Sequence, residues 1–129
     1  MNAAQPAAVA PVKDVDFTAE AESTTEALNV KLAGNADLNV KQQLDRFIAA
    51  VHEEARRLQV SEVVVDLRRL EFMNSSCLKS FVWWISSIQE QGSGGQYRIT
   101  FLSSPTMYWQ RRSLNALACL ASDLVSVQV

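Results

Sequence analysis

The stretch that decides the fold runs from residue 63 to residue 78 and reads VVVDLRRLEFMNSSCL. Its first part, residues 63–67, is an apolar run rich in β-branched side chains, which is typical of a strand covered on both faces. Helical periodicity begins at about Ser75 and lasts to about Gln91. A buried strand that leads directly into a helix indicates an α/β sheet with this strand near its centre.

Other segments predict the neighbours of that strand. Residues 28–32 and residues 97–101 alternate between apolar and polar side chains, as strands with one buried face do. Residues 15–17 show a weaker alternation, and residues 125–129 predict a short final strand. With the helices between them, the predicted order is β-β-α-β-α-β-α-β. Helical crossovers of this kind imply a mixed, mostly parallel sheet of about five strands.

Two further helices are indicated by periodicity and by capping residues. The strongest periodic signal follows Asn39, a good N-cap with Gln42 three residues further on. His52, the single histidine of the chain, lies between charged neighbours on this helix and is expected to be solvated. The third helix is predicted to open with Ser104 as N-cap and Pro105 at its first position.

Length and composition exclude several classes of protein. The chain has 129 residues, a length that predicts one domain, at residues 15–129. Its net charge of −2 argues against a nucleic-acid binder. Residues 1–14 are expected to be a flexible Ala/Pro leader outside the fold. No apolar run is long enough to span a membrane. Cys77 and Cys119 lack metal-ligand spacing and fit free thiols in a reducing cytosol, so no metal site is predicted.

The segment FMNSSCL at residues 72–78 resembles the motif of the STAS family, the domain of bacterial anti-sigma-factor antagonists. In that family an aromatic–aliphatic pair precedes Asp-Ser-Ser-Gly-Leu at the start of a helix. The turn GNADL at residues 34–38 is similar to the family's preceding turn, and the element order is the same. The resemblance covers about residues 15–129. Asn74 replaces the usual Asp and Cys77 replaces the usual Gly.

The resemblance implies a non-enzymatic partner switch in the bacterial cytoplasm. The unmodified form binds an anti-sigma-factor kinase, and phosphorylation of Ser75, which is preferred over Ser76 as the acceptor, releases it. ATP and Mg²⁺ belong to the partner kinase, so the chain itself needs no cofactor. Independently of the family, a phosphate is tolerated at the first turn of a helix, where unpaired N–H groups and the helix dipole favour negative charge.

Three alternatives stay open from the residues alone. Asn74, Ser75 and Ser76 could simply start a helix. The two departures from the motif favour a constitutive scaffold subunit of a signalling or transporter complex, with the same fold but no phosphoswitch. A small enzyme using Cys77 or Ser75 is the third alternative, although no catalytic residue is predicted and a packed, inert thiol is the simpler interpretation of Cys77.

The second helix also carries a candidate contact residue. Its buried face is predicted to comprise Leu78, Phe81, Val82, Ile85 and Ile88. At about 100° per residue Trp83 points away from that face, beside Ser76 and Lys79, while Trp84 falls near the flank. Because tryptophan is enriched at interface hot spots, Trp83 is predicted to anchor a partner or a second copy of the chain. The alternative is that Trp83 packs against a neighbouring loop or the leader.

Overall fold

Seven strands and three α-helices make up the fold in a computed structural model that describes residues 5–92 and 94–129. In chain order they are β1 (Gln5–Pro6), β2 (Val12–Lys13), β3 (Phe17–Ser23), β4 (Ala27–Ala36), a 3₁₀ turn (Leu38–Val40), α1 (Lys41–Leu58), β5 (Glu62–Met73), α2 (Ser75–Gln89), β6 (Arg98–Leu102), α3 (Tyr108–Leu120) and β7 (Val125–Gln128).

The sheet is mixed, as predicted, with β5 near its centre. Its order is β1-β3-β4-β5-β6-β7, and β2 also pairs with β3. The pairs β4–β5, β5–β6 and β6–β7 are parallel, whereas β3 is antiparallel to β4, β1 and β2. The predicted order of five main strands and three helices is therefore confirmed, and the two-residue strands β1 and β2 are additional. Strands of two residues are too short to produce an alternating pattern.

Only one face of the sheet supplies the core. Along β5, Val63, Val65 and Leu67 are fully buried, while Val64 and Asp66 between them are partly exposed. The prediction that this strand is covered on both faces is therefore wrong. Side chains on the open face are shielded by one another, as when Arg68 binds the carboxylate of Asp66.

Helix α2 presents a slightly different face to the core than predicted. Phe81, Trp84, Ile85 and Ile88, at the spacing i, i+3, i+4 and i+7, are buried together. Val82, which was predicted to be buried, is exposed, and Trp84, which was expected on the flank, is fully buried. The large indole of Trp84 buries more apolar surface than Val82 would. This favours the observed rotation of α2 about its axis, which turns Trp84 towards the core.

Both predicted N-caps are wrong because irregular turns precede the helices. Asp37, not Asn39, opens the first helical segment, and its carboxylate accepts the N–H of Asn39 at 2.9 Å. The third helix begins at Tyr108, three residues later than Pro105. Ser104 instead starts a turn in which its N–H donates to the side-chain oxygen of Gln110 at 2.8 Å.

The segment before residue 15 differs from the expected leader. Residues 5–6 and 12–13 pair with β3, and Val9 between them is buried. The N–H of Ala8 donates to the buried carboxylate of Glu54 on α1 at 2.8 Å. Residues 5–13 therefore line the outer edge of β3, while residues 1–4 lie outside the described residues.

Gly34 allows β4 to pass close to the start of β3. Its φ of +93° lies in the left-handed region, and the register with β5 shifts between Gly34 and Asn35. A Cβ atom at Gly34 would lie 2.0 Å from the carbonyl oxygen of Asp16. That same oxygen accepts the N–H of Asn35 at 2.7 Å. The position therefore excludes any side chain.

We expect Gly34→Ala to lower the free energy of unfolding by about 3 kcal/mol, because backbone strain and a backbone clash act together. Gly92→Ala is the matched control, since Gly92 also has a positive φ, of +72°, but has open space around it. It should cost only about 1 kcal/mol. Urea denaturation followed by circular dichroism measures both. Equal costs would contradict the close approach at Gly34.

Candidate functional site

A single residue, Asn74, joins the central strand β5 to α2. Its side-chain oxygen accepts the N–H of Ser76 at 2.7 Å, which makes Asn74 the N-cap of the helix. Its own N–H donates to the carbonyl of Ala36, at the end of β4, at 2.8 Å. The first turn of α2 is therefore held both by the strand before it and by the neighbouring strand.

Ser75 is the first residue of α2, and it is exposed. Ser76 is half-buried, and its N–H is already used by the cap. The start of a helix carries unpaired N–H groups and partial positive charge. A hydroxyl at position 75 therefore lies in a favourable place for an added anion and can be reached from solvent.

Cys77 faces the interior. Its side chain is fully buried, and its thiol donates to the carbonyl of Asp37 at 3.3 Å. Burial raises the pKa of the Cys77 thiol, against the opposing effect of Lys41. The thiol is therefore protonated at neutral pH and packed away from the surface around Ser75.

One exposed stripe runs along α2 and starts at Ser75. It comprises Ser75, Lys79, Val82, Trp83 and Ser86, and we call it the α2 stripe. The indole of Trp83 is 49% exposed, as the helical projection predicts. Its ring meets the ring of His52, on α1, edge-on at a centroid distance of 6.1 Å. This contact differs from the predicted alternative, in which Trp83 packs against a loop or the leader.

A groove of about 380 Å³ lies beside the stripe, between α1 and α2. It is lined by Lys41, Asp45, Ile48, Ala49, Lys79, Ser80 and Trp83. This α1–α2 groove combines an apolar floor with a polar end. At the polar end, Lys41 binds Asp45 at 2.7 Å, and Ser80 donates to the same carboxylate. Partial burial acts to raise the pKa of Asp45, but the hydrogen bonds from Lys41 and Ser80 outweigh it and lower that pKa.

Two exposed apolar side chains, Phe72 and Leu38, flank the start of α2. Phe72 lies near the end of β5, and Leu38 lies in the 3₁₀ turn after β4. Both segments are tied to the first turn of α2, since Asn74 bonds to Ala36 and Cys77 bonds to Asp37. Two exposed apolar side chains therefore lie in the segments that adjoin the first turn of α2, and exposed apolar surface is what protein partners cover.

His52 is buried, at 5% exposure, so the expectation that it is solvated is wrong. Its Nδ1 lies 2.7 Å from the hydroxyl oxygen of Tyr97. Trp84 donates its indole N–H to that oxygen at 2.6 Å, so the Tyr97 hydroxyl donates to Nδ1 of a neutral imidazole. The signal was present in the sequence, since His52 follows Ile48 by four residues on the apolar face of α1.

Burial lowers the pKa of His52 from its ordinary value of 6.5, with help from Arg56 and against Glu53. The unfolded chain therefore takes up a proton at a higher pH than the folded protein does. Stability from the neutral ring is present above pH 6.5 and is lost as the pH falls. Burial likewise raises the pKa of the Tyr97 hydroxyl, which stays protonated at neutral pH and is the donor in this network.

We expect the free energy of unfolding to fall between pH 7.5 and pH 5.5, by at most about 1.4 kcal/mol. Asp45, Glu54 and Asp66 have lowered pKa values and titrate below this window. Urea denaturation at several pH values measures the slope. In His52→Gln the slope should be flat, whereas an unchanged slope in this variant would contradict the assignment.

Within residues 5–92 and 94–129, no helix is both long and apolar enough to cross a membrane. Over the same ranges, no group of three or more His, Cys, Asp or Glu side chains could hold a metal ion.

Comparison with known proteins places the fold. No protein-family model matches the chain, and no curated protein does. A solved anti-sigma factor antagonist from Mycobacterium paratuberculosis is similar over 84% of this chain and 86% of its own, at 19% identity and a TM-score of 0.62. The antagonist SpoIIAA in its unphosphorylated form is similar over 73% of this chain and 81% of its own, at 22% identity and a TM-score of 0.52.

The Bacillus cell fate determinant SpoIIAA in its phosphorylated form is similar over 86% of this chain and 91% of its own. Its identity is 16% and its TM-score is 0.56. At these identities the comparison establishes the fold, and it agrees with the motif at residues 72–78. The chain has the fold of the anti-sigma factor antagonists, as its resemblance to the STAS family predicts.

Proposed function

We propose that this protein is a non-enzymatic partner switch of the anti-sigma-factor-antagonist type, acting in the bacterial cytoplasm. Its unmodified form binds an anti-sigma-factor kinase, and phosphorylation of Ser75 ends that binding. The observation that carries the proposal is the exposed hydroxyl of Ser75 at the first residue of α2. Residue 75 is placed there by a strand that is paired on both sides.

The chemistry of the switch belongs mostly to the partner. The Oγ atom of Ser75 bonds to the γ-phosphorus of ATP as the bond to ADP breaks, and the hydroxyl proton passes to a base of the kinase. ATP and Mg²⁺ are supplied by that kinase. The phosphate adds a charge of about −1.5 to −2 at an exposed position, so it changes the docking surface without displacing any core side chain.

The comparisons support this tolerance of a phosphate. SpoIIAA has been solved in an unphosphorylated and in a phosphorylated form, and both are similar to this chain. A fold that is compatible with both states can switch partners through surface charge and shape alone.

The proposed docking surface comprises Asn74, Ser75, Ser76, Lys79 and Trp83. Asn74 shapes the first turn of α2, while Ser75 and Lys79 supply polar contacts. The exposed indole of Trp83 offers a large apolar anchor next to the α1–α2 groove. The same anchor would serve a second copy of this chain if the protein forms a dimer.

We expect protein purified from its own host to carry a single phosphate that is absent in Ser75→Ala. Intact-mass spectrometry measures it directly. Ser76→Ala is the matched control and should keep the phosphate, because Ser76 is half-buried whereas Ser75 is exposed. If the phosphate survives in Ser75→Ala and disappears in Ser76→Ala, the assigned acceptor is wrong.

A second candidate function is a constitutive scaffold with no phosphoswitch. The observation in its favour is Asn74, which caps the helix but has no charge for a kinase that requires a carboxylate at this position. Absence of phosphate under every growth condition would support the scaffold. Asn74→Asp separates the two candidates further, since a gain of phosphate in this variant identifies a missing carboxylate as the cause.

We expect Trp83→Ala to weaken partner binding or dimerisation by about tenfold or more, as truncation of a hot-spot residue does. Affinity for a kinase captured from the host on the unmodified protein measures partner binding, and sedimentation of the free protein measures dimerisation. Leu120→Ala removes a similarly exposed apolar side chain from α3 and should change neither. If Trp83→Ala stays folded and leaves both quantities unchanged, Trp83 is not an anchor.

A further inference from the structure

Lys79 lies one helical turn after Ser75 on α2. It is exposed, and within residues 5–92 and 94–129 it takes part in none of the ion pairs. Lys41, which lines the same α1–α2 groove from the other side, is held by Asp45 at 2.7 Å and by Ser80 at 3.2 Å. Of these two lysines, only Lys79 is available for a new anion.

The spacing of Ser75 and Lys79 suits contact between their side chains. Residues four apart on a helix lie about 6 Å apart along the axis and on the same side. Each Cα–Cβ bond tilts towards the helix N-terminus, so the Lys79 side chain leans back towards Ser75. A phosphate on Ser75 would lie within reach of the Lys79 ammonium group.

A phosphate would also reverse the charge at the groove. In the unmodified protein, Lys41 and Lys79 face the single carboxylate of Asp45, which leaves one net positive charge among the groove-lining residues. A phosphate of about −1.5 to −2 at the neighbouring Ser75 more than cancels it. The Lys79 ammonium group is the nearest partner on the helix for that charge.

We propose that Lys79 binds the phosphate on Ser75, so that modification converts a free surface cation into an intramolecular ion pair. The phosphate then lies along α2 and over the edge of the α1–α2 groove, not out in solvent. Lys79 is in this sense a positioning residue for the switch. The proposal rests on Ser75 being the acceptor, as proposed above, and adds the residue that fixes the phosphate.

The test installs phosphoserine at position 75 during translation and titrates the phosphate by ³¹P NMR. Pairing with Lys79 favours the dianion, so the pKa of the phosphate should rise by about 0.3 to 0.7 units in Lys79→Met. Lys79→Arg should restore the low value. High salt should remove most of the difference, because the pair is exposed.

Lys41→Met is the matched control, since it removes the same charge from the other wall of the groove but from a lysine already bound to Asp45. It should shift the phosphate pKa much less. Equal shifts in the two methionine variants, or no shift in Lys79→Met, would overturn the proposal. Thermal unfolding of unphosphorylated Lys79→Met should match that of the wild type, which separates pairing from a structural role.

The result is independent of whether a kinase modifies the protein in its host. If host protein carries no phosphate but the titration shows the shift, the proposed function fails and the ion pair stands. If host protein is phosphorylated on Ser75 but the shift is absent, the switch stands and Lys79 has no part in holding its phosphate.

Discussion

The position of the candidate docking surface depends on the junction between β5 and α2, which is one residue long. Strand β5 is paired with β4 on one side and β6 on the other, so its register cannot slip without breaking two ladders. Asn74 then closes the junction with two hydrogen bonds, one from its N–H to Ala36 and one from Ser76 to its side chain. Ser75 is consequently held in a fixed position relative to the sheet, and its hydroxyl lies at a defined place on the proposed docking surface.

Hydrogen bonds between α1 and α2 hold the two walls of the α1–α2 groove, beside the proposed docking surface, in one arrangement. Near the start of the helices, Ser80 and Lys41 both bind the carboxylate of Asp45. Further along, the hydroxyl of Tyr97 joins His52 of α1 to Trp84 of α2. Over the described residues, every buried side-chain nitrogen and oxygen has a partner. Satisfied polar networks of this kind specify one arrangement of helices, so the groove between them is already formed before a partner binds.

The elements that sequence predicted well are those whose pattern is repeated over many residues. The alternation at residues 28–32 and the helical periodicity of α1 each extend over enough positions that a local exception does not obscure the pattern. On α2 the helical projection correctly predicts that Trp83 is exposed. It does not predict that Trp84 is buried in place of Val82, because that depends on packing against other elements.

Features that depend on a single contact were predicted less well. Asn39 and Ser104 have good capping side chains, but Asp37 caps the turn before α1, and α3 begins after Met107 without a side-chain cap. The sequence favours a solvated His52 because charged residues follow it on α1, whereas its neighbours in space are Tyr97 and Trp83. The segment at residues 5–13 gave no strand signal because its pairing with β3 is too short.

The two departures from the family motif have different physical consequences in this structure. Cys77 is buried in the interior, where its thiol bonds to Asp37, so it does not change the proposed docking surface. Asn74 keeps the cap but removes a negative charge from the position next to Ser75. A carboxylate at position 74 would repel a phosphate on Ser75, whereas the neutral amide does not. Asparagine at position 74 therefore lowers the electrostatic cost of the proposed phosphorylated state, even though it removes a charge that a kinase could recognise.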